Sequence, residues 1–309
     1  MAVTFGWRVP DWPTDGTSSA EFRAQIFNYL DVLHGHFESS WVGDHFFPWM
    51  ASVDQRSDTI EAWTTITYIL AKYPRMKGGT IVLSQAYRPP ALLAKMALDL
   101  QWLSGGRFTL GIGAGWKENE YHAYGYGFPS AGTRIDQLGE ALQVIRKMWT
   151  DDAPTFHGKY YSIQDAYCRP RPDPLPRLLV GGSGRKKTLR LVAQYADMLN
   201  FGNCTPQEYR ELLDVLDEHC RAVGRDPAQI GKTYCAECVA IAPSRAEVER
   251  AVAESPFRDG DKLAGTPEES LEKIRAFINL GVEHFIVRFP DFPRTEMAER
   301  FIREVLPRV

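Results

Sequence analysis

Short apolar runs alternate with longer amphipathic segments about eight times along the chain, and few folds accommodate that pattern. Residues 3–9 read as a first strand and 22–33 as its helix, followed by strand 39–44 and helix 59–73. Residues 79–83 and 89–103 make a third pair, and 107–113 and 134–149 a fourth. Strands at 178–181, 197–201, 232–241 and 284–289 alternate with helices at 188–195, 206–223, 267–280 and 295–305. Strands interleaved with helices ask for parallel pairing, because each helix carries the chain back to start the next strand. No linker-like shift in composition divides the series, so the expected fold is α/β, a single (β/α)8 TIM barrel over residues 1–309. Such a barrel needs about 250 residues. The surplus falls to insertions near 114–132, 151–176 and 242–265, the second holding a hairpin that turns at His157-Gly158 and the third partly helical.

Charge and composition narrow the partners. The 36 basic and 39 acidic residues are scattered through 309 positions and leave a net charge of -3, so no basic stripe exists to neutralise a nucleic-acid backbone. No apolar run approaches the roughly 18 residues that a spanning helix needs. The first residues are too polar and proline-broken for a signal peptide, so the cytoplasm is the expected location. Five cysteines form no disulfide framework. Cys235 and Cys238 have a metal or redox spacing, but they fall within one expected strand and point to opposite faces, so they read as core thiols. His34 and His36 precede the second strand at the inert end of a barrel and read as turn residues; no metal is expected.

In a (β/α)8 barrel the chemistry lies where strands end. Beyond the second strand comes Trp41-Val-Gly-Asp-His-Phe-Phe-Pro-Trp49, an acid and an imidazole among aromatic side chains. Such a pair can tune an imidazole for proton transfer near neutral pH, or can serve as a turn cap and a satisfied core histidine. Val180-Gly-Gly-Ser-Gly-Arg-Lys-Lys-Thr188 runs from strand through glycines into a helix with a basic start. Backbone N–H groups and a helix N-terminus suit a phosphate, although a plain glycine turn has the same sequence. Gly111-Ile-Gly-Ala-Gly115 says that backbone approaches something closely. Trp116 and Tyr121, with Glu118, Asn119 and Glu120 between them, would suit a stacked heteroaromatic ligand or a solvated loop. Arg288, at the end of the last strand, is a receiver for an anion or half of a surface ion pair.

These blocks, taken in order, resemble the bacterial luciferase-like flavin and deazaflavin oxidoreductases over most of the chain. The likeness is carried by Gly43-Asp44-His45-Phe46, Tyr87-Arg-Pro-Pro-Ala-Leu-Leu-Ala-Lys95, Leu103-Ser-Gly-Gly-Arg-Phe108 with Gly111-Ile-Gly-Ala-Gly-Trp116, and Val180-Gly-Gly-Ser-Gly184 with Ala196-Asp197. Residues 44–49 are similar to the stretch by which F420-dependent glucose-6-phosphate dehydrogenases seat their cofactor. The resemblance implies His45 as acid/base, Asp44 as a cofactor contact and Trp49 as substrate wall; Trp116 in its aromatic loop and Arg288 at the end of the last strand are further substrate candidates by position. It implies a non-proline cis peptide behind the cofactor ring at Thr80-Ile81, a cofactor contact at Asn119, and a phosphate turn at Gly181, Gly182, Ser183 and Gly184. Leu83, a further cofactor-contact candidate by position, departs from the small hydroxyl residue of the sugar-phosphate enzymes, so an identical cofactor pose and the same substrate are not implied.

The implied activity is hydride transfer between F420 and a small organic substrate. The alternatives are an FMN-dependent monooxygenase fed by a partner reductase and, from another class, a cofactor-binding barrel without catalysis. A metal-dependent hydrolase is the weakest reading, because the histidines are not distributed over strand ends. Members of the superfamily are commonly homodimers.

Overall fold

The structure is a computed structural model and describes residues 3–14, 16–50 and 52–309. In chain order the elements begin with β1 (Thr4–Arg8), α1 (Ser19–Leu33), β2 (Ser39–Val42), α2 (Ala62–Lys72), β3 (Lys77–Thr80), β4 (Leu83–Ser84) and α3 (Pro90–Leu103). They continue with β5 (Phe108–Gly113), α4 (Glu118–Ala123), α5 (Ala131–Thr150), β6 (Phe156–His157), β7 (Ser162–Ile163), β8 (Arg177–Gly181) and α6 (Thr188–Tyr195). The series ends with β9 (Met198–Gly202), α7 (Pro206–Val223), β10 (Gly231–Ala236), α8 (Arg245–Glu254), α9 (Pro267–Ile278), β11 (Val282–Val287) and α10 (Glu296–Arg300). With β3 and β4 counted as one interrupted strand and the β6–β7 hairpin set aside, the order is that of a (β/α)8 barrel, as the alternation predicts. Backbone contacts gather the chain into two compact units, 1–61 with 200–214 and 231–309, and 62–199 with 215–230.

In the first unit β2, β1, β11 and β10 run parallel in that order, with Gly6 opposite Ser39, Phe5 opposite Phe285 and Tyr234 opposite Phe285. Their residues are buried almost throughout, which is why the strands read as apolar runs rather than as alternating ones. Aromatic packing ties helices to this sheet. Trp7 stacks on Tyr29 of α1 with ring centroids 4.7 Å apart, and Phe5 lies 5.4 Å from Phe285 and 5.1 Å, edge-on, from Phe301. Helix starts are written locally: Ser18 with Glu21 opens α1, Ser244 with Glu247 opens α8, and Thr266 with Glu269 opens α9, each as a reciprocal capping box. The charged insertion at 242–265 is partly helical, as expected, through α8. The closing helix splits into α10 and one π-helical turn at Phe301–Val305. His34 and His36 fall in the turn between α1 and β2.

In the second unit β3 and β4 flank β5, and β8 lies on its other side with Leu110 opposite Leu178. The expected third strand, 79–83, is in fact broken. Gly79 faces Thr109 and Leu83 faces Ile112, so one strand advances four residues while the other advances three. The extra residue makes a bulge, and the non-proline cis peptide lies inside it at Ile81-Val82, one residue beyond the expected Thr80-Ile81. Pairing patterns do not report peptide isomers, so sequence spacing could only approximate its position. Thr80 fills the interrupted ladder: its hydroxyl donates to Gly111 O at 2.8 Å and accepts from Gly111 N at 3.0 Å. The glycine at 111 follows from this, since a Cβ there would stand 1.9 Å from the Thr80 carbonyl oxygen. Thus the close approach predicted for Gly111 is to neighbouring backbone.

The hairpin expected in the 151–176 insertion is present as β6 and β7, antiparallel, with His157 opposite Ser162 and the turn at residues 158–161. Glu140 of α5 holds that turn by accepting the N–H groups of Lys159, Tyr160 and Tyr161 at 2.8, 2.8 and 3.0 Å. The 114–132 stretch contains α4 and is anchored through its side chains. Tyr121 Oη lies 2.6 Å from Ser84 Oγ, Tyr87 donates to Glu120 at 3.2 Å, and the Arg134 guanidinium covers the Phe128 ring at 3.9 Å. Two of its aromatics, Trp116 and Tyr124, are left exposed.

Candidate functional site

In the first unit, strand ends bring together a charged cluster that is bonded to the chain just ahead of Asp44-His45. Arg8 ends β1 and grips Asp11 with two bonds, Nη1 to Oδ1 at 3.0 Å and Nη2 to Oδ2 at 2.9 Å. Asp11 Oδ1 also accepts the N–H of Gly43 at 3.2 Å and so fixes the chain just ahead of Asp44. A Cβ at residue 43 would stand 2.2 Å from Arg8 Nη2, so any side chain there has to displace the Arg8 guanidinium from its bonds to Asp11. Arg288 follows β11, with Nη2 3.7 Å from Asp11 Oδ2 and Nε 3.4 Å from Glu237 Oε2. Burial by itself would raise the Asp11 carboxyl, but Arg8, Arg288 and the His45 imidazole together hold it below the usual aspartate range. Burial pushes the Cys235 thiol well up, and Cys238 up to about 11, so neither is a ready nucleophile.

His45 is partly exposed, and its ring centroid lies 6.1 Å from that of Trp49. Trp49 rests on a packed floor, 5.7 Å edge-on from Trp12 and 5.7 Å from Phe257. Phe257 comes from the 242–265 insertion, so part of that insertion is wall rather than surplus. Asp44 is buried. An imidazole accessible to solvent beside a fixed anion can take up or release a proton, which is the chemistry expected of His45.

The second unit carries the remaining predicted groups. Gly182, Ser183 and Gly184 are exposed after β8, and Gly182 has φ +124°, a conformation that favours glycine. They precede α6, whose first residue is Thr188; a Cβ at Gly184 would stand 2.6 Å from the Thr188 hydroxyl. An open glycine turn ahead of a helix N-terminus is a cradle that fits a phosphate, and a side chain would fill it. Of the basic residues that follow, Lys187 pairs with Asp136 at 2.7 Å, while Lys186 is exposed. Thr80 is fully buried in the bulge and Ile81 partly so. Leu83 is fully buried in β4, Asn119 is exposed on α4, and Trp116 is 59% exposed.

Two expectations are corrected. Arg288 is no surface ion pair: it is 2% exposed, held between Asp11 and Glu237, with its guanidinium 4.0 Å from the centroid of Phe257. Cys235 and Cys238 do not alternate on one strand, because β10 stops at Ala236; both are nevertheless buried. Sequence reasoning misses Arg8, Asp11 and Glu237. Strand-end positions considered from the second strand onward leave out the first, and a seventh strand drawn as 232–241 leaves Glu237 in mid-strand. A charged residue inside an otherwise apolar run is the available signal. Among the described residues no group of three or more His, Cys, Asp or Glu is placed to hold a metal ion.

The fold and these strand-end groups are those of a (β/α)8 barrel enzyme. The family model for luciferase-like monooxygenases matches residues 34–261, and the chain belongs to that family. An F420-dependent glucose-6-phosphate dehydrogenase from Kineococcus radiotolerans is 29% identical, with 87% of this chain and 88% of the relative covered. One from Amycolatopsis mediterranei is 27% identical, covering 88% and 90%. Among solved structures, an F420-dependent secondary alcohol dehydrogenase in complex with an F420-acetone adduct superposes with a TM-score of 0.82 at 21% identity, over 99% of this chain and 98% of the other. EDTA monooxygenase from Chelativorans sp. BNC1 superposes with a TM-score of 0.81 at 16% identity, over 99% and 93%. At such identities the superpositions establish the barrel fold.

Proposed function

We propose that this protein is an F420-dependent oxidoreductase acting on a small organic substrate. When bound, the deazaflavin supplies a carbon centre that exchanges hydride with the substrate. Gly181, Gly182, Ser183 and Gly184 would hold its phosphate, with Asp44, Thr80, Ile81, Leu83 and Asn119 as the further candidate contacts implied by the family resemblance. His45 would exchange the proton that accompanies hydride movement, at an imidazole nitrogen, while Trp49, Trp116 and Arg288 are the candidate substrate contacts. The observation that carries this reading is the partly exposed His45 near Trp49, on a loop whose entry at Gly43 is bonded to the buried Asp11 carboxylate. The names of the relatives, F420-dependent dehydrogenases, support the cofactor.

Parallel fluorescence titrations with F420 and FMN test the cofactor, with preference for F420 expected. His45→Ala should retain F420 binding and lose turnover by roughly 10²–10⁴-fold, the usual contribution of a positioned acid/base. Full turnover in that variant would remove His45 from the chemistry. The second reading, an FMN-dependent monooxygenase supplied by a separate reductase, is favoured by the family's own description and by the glycine turn, which suits either cofactor's phosphate. Oxygen consumption that requires reduced FMN would establish it. We further propose one domain over residues 1–309, a homodimeric assembly and a cytoplasmic location, with no membrane or nucleic-acid partner; among the described residues no helix is long and apolar enough to cross a membrane.

A further inference from the structure

The charged cluster of the first unit pairs its cations with its acids, and its members differ sharply in access. Arg8 and Arg288 have side chains 3% and 2% exposed, and the Asp11 side chain is fully buried. Glu237 is the accessible member, with its side chain 18% exposed. Its Oε2 stands 3.4 Å from Arg288 Nε and its Oε1 3.9 Å from Arg8 Nε. Two buried cations therefore face two carboxylates, and buried Asp44 lies one residue beyond the Gly43 that Asp11 binds. An approaching anion meets the Glu237 carboxylate first, with no surplus of positive charge behind it. Arg288 lies behind it: the guanidinium, its nitrogens buried and without hydrogen-bond partners, stands near both carboxylates and over the Phe257 ring, 4.0 Å from the ring centroid. The His45 imidazole and the Trp49 indole of this unit are also partly exposed and offer a hydrogen bond and an apolar face, while the accessible charges of the segment beside Glu237, Arg258, Asp259, Asp261 and Lys262, balance one another.

We propose that Glu237 determines substrate charge: its carboxylate cancels Arg288, so that the site admits an uncharged alcohol or carbonyl compound against Trp49 and rejects phosphorylated or carboxylated ones. This rests on the oxidoreductase reading above and narrows its substrate class. Arg288 then acts through Glu237 and Phe257 instead of ligating an anion. The named relatives' sugar phosphate would be a poor ligand for this chain.

The test is calorimetric titration of the F420-loaded protein with cyclohexanone and, separately, glucose 6-phosphate, at matched ionic strength. Cyclohexanone should bind at least about tenfold more tightly, a difference of about 1.4 kcal/mol. Glu237→Gln removes the screening charge and keeps the shape, so glucose 6-phosphate affinity should rise by about tenfold or more while cyclohexanone changes by less than about twofold. Tighter binding of glucose 6-phosphate by the wild-type protein, binding of neither probe, or an unchanged phosphate affinity in a folded Glu237→Gln protein overturns the proposal. The wild-type comparison decides by itself if the variant does not fold. A prior F420 titration separates the two levels: failure to bind F420 removes the cofactor reading, whereas F420 binding with preference for the sugar phosphate removes only the charge argument.

Discussion

Replacing Asp11 by Asn tests the electrostatic design of the cluster most directly. The carboxylate accepts two charge-assisted bonds from Arg8 at 3.0 and 2.9 Å, one from Gly43 N at 3.2 Å, and faces Arg288 at 3.7 Å. All three side chains are essentially out of water. Breaking a buried pair by removing one charge costs about 3–5 kcal/mol, since the partner is left uncompensated. Asn keeps one acceptor oxygen, which places the variant near the lower figure, about 3 kcal/mol. At about 2 °C per kcal/mol for a chain of this size, Tm should fall by roughly 6 °C. The pH dependence gives a second handle. Because the folded Asp11 carboxyl lies below its unfolded value, its contribution is present above the unfolded pKa and is lost as pH falls toward the folded one. The wild-type advantage should therefore be full at about pH 7 and shrink below about pH 4, the unfolded aspartate value. Calorimetric melting of both proteins across that range measures it. Adding Arg8→Met to the variant should recover part of the loss by removing the stranded cation. A Tm within about 1 °C of wild type at neutral pH, or a difference that does not change with pH, would refute the reasoning.

Other expectations follow from single features. Burial pushes the Asp291 carboxyl up to about 6 from 3.8, so this group favours folding less as pH rises through that window; Asp291→Asn should stabilise the protein by up to about 3 kcal/mol at pH 8 and by less at pH 5, as denaturant melts would show. Its Oδ2 accepts Met297 N at 2.9 Å, a bond that the Asn oxygen can keep. Gly111→Ala places a methyl against the Thr80 carbonyl oxygen, which is backbone and cannot turn aside, and should cost about 1–3 kcal/mol with a larger loss of F420 affinity than a surface glycine variant shows; an unchanged Tm would mean that the bulge gives way. The His45→Ala kinetics and the Glu237→Gln titration described above complete the set.

Much of the protein is legible in local chemistry alone. Strand and helix periods differ, so residues such as Phe5, Trp7 and Phe285 announce buried strands, and the Ser18–Glu21 and Thr266–Glu269 pairs announce helix starts. The order of the elements implies the (β/α)8 class because a helix between two strands enforces parallel pairing. His45 and the Gly181–Gly184 turn stand out for the same reason: they follow directly on recognisable strands, where such barrels keep their chemistry.

What sequence could not determine was who faces whom. Arg8, Asp11, Glu237 and Arg288 are separated by up to 280 positions, and nothing local to any of them says that two buried arginines would share one buried carboxylate and one that reaches solvent. Whether Arg288 binds an anion, pairs at the surface or lies locked against Phe257 depends on which groups packing brings within 4 Å, since Coulomb interactions and desolvation grow steep only there. The bulge at Ile81-Val82 is of the same kind, a one-residue difference between two strands that each look regular alone. Amino-acid order thus determined the elements and their class by short-range preference; the charge balance of the site and the register around it were decided by contacts that exist only in the folded chain.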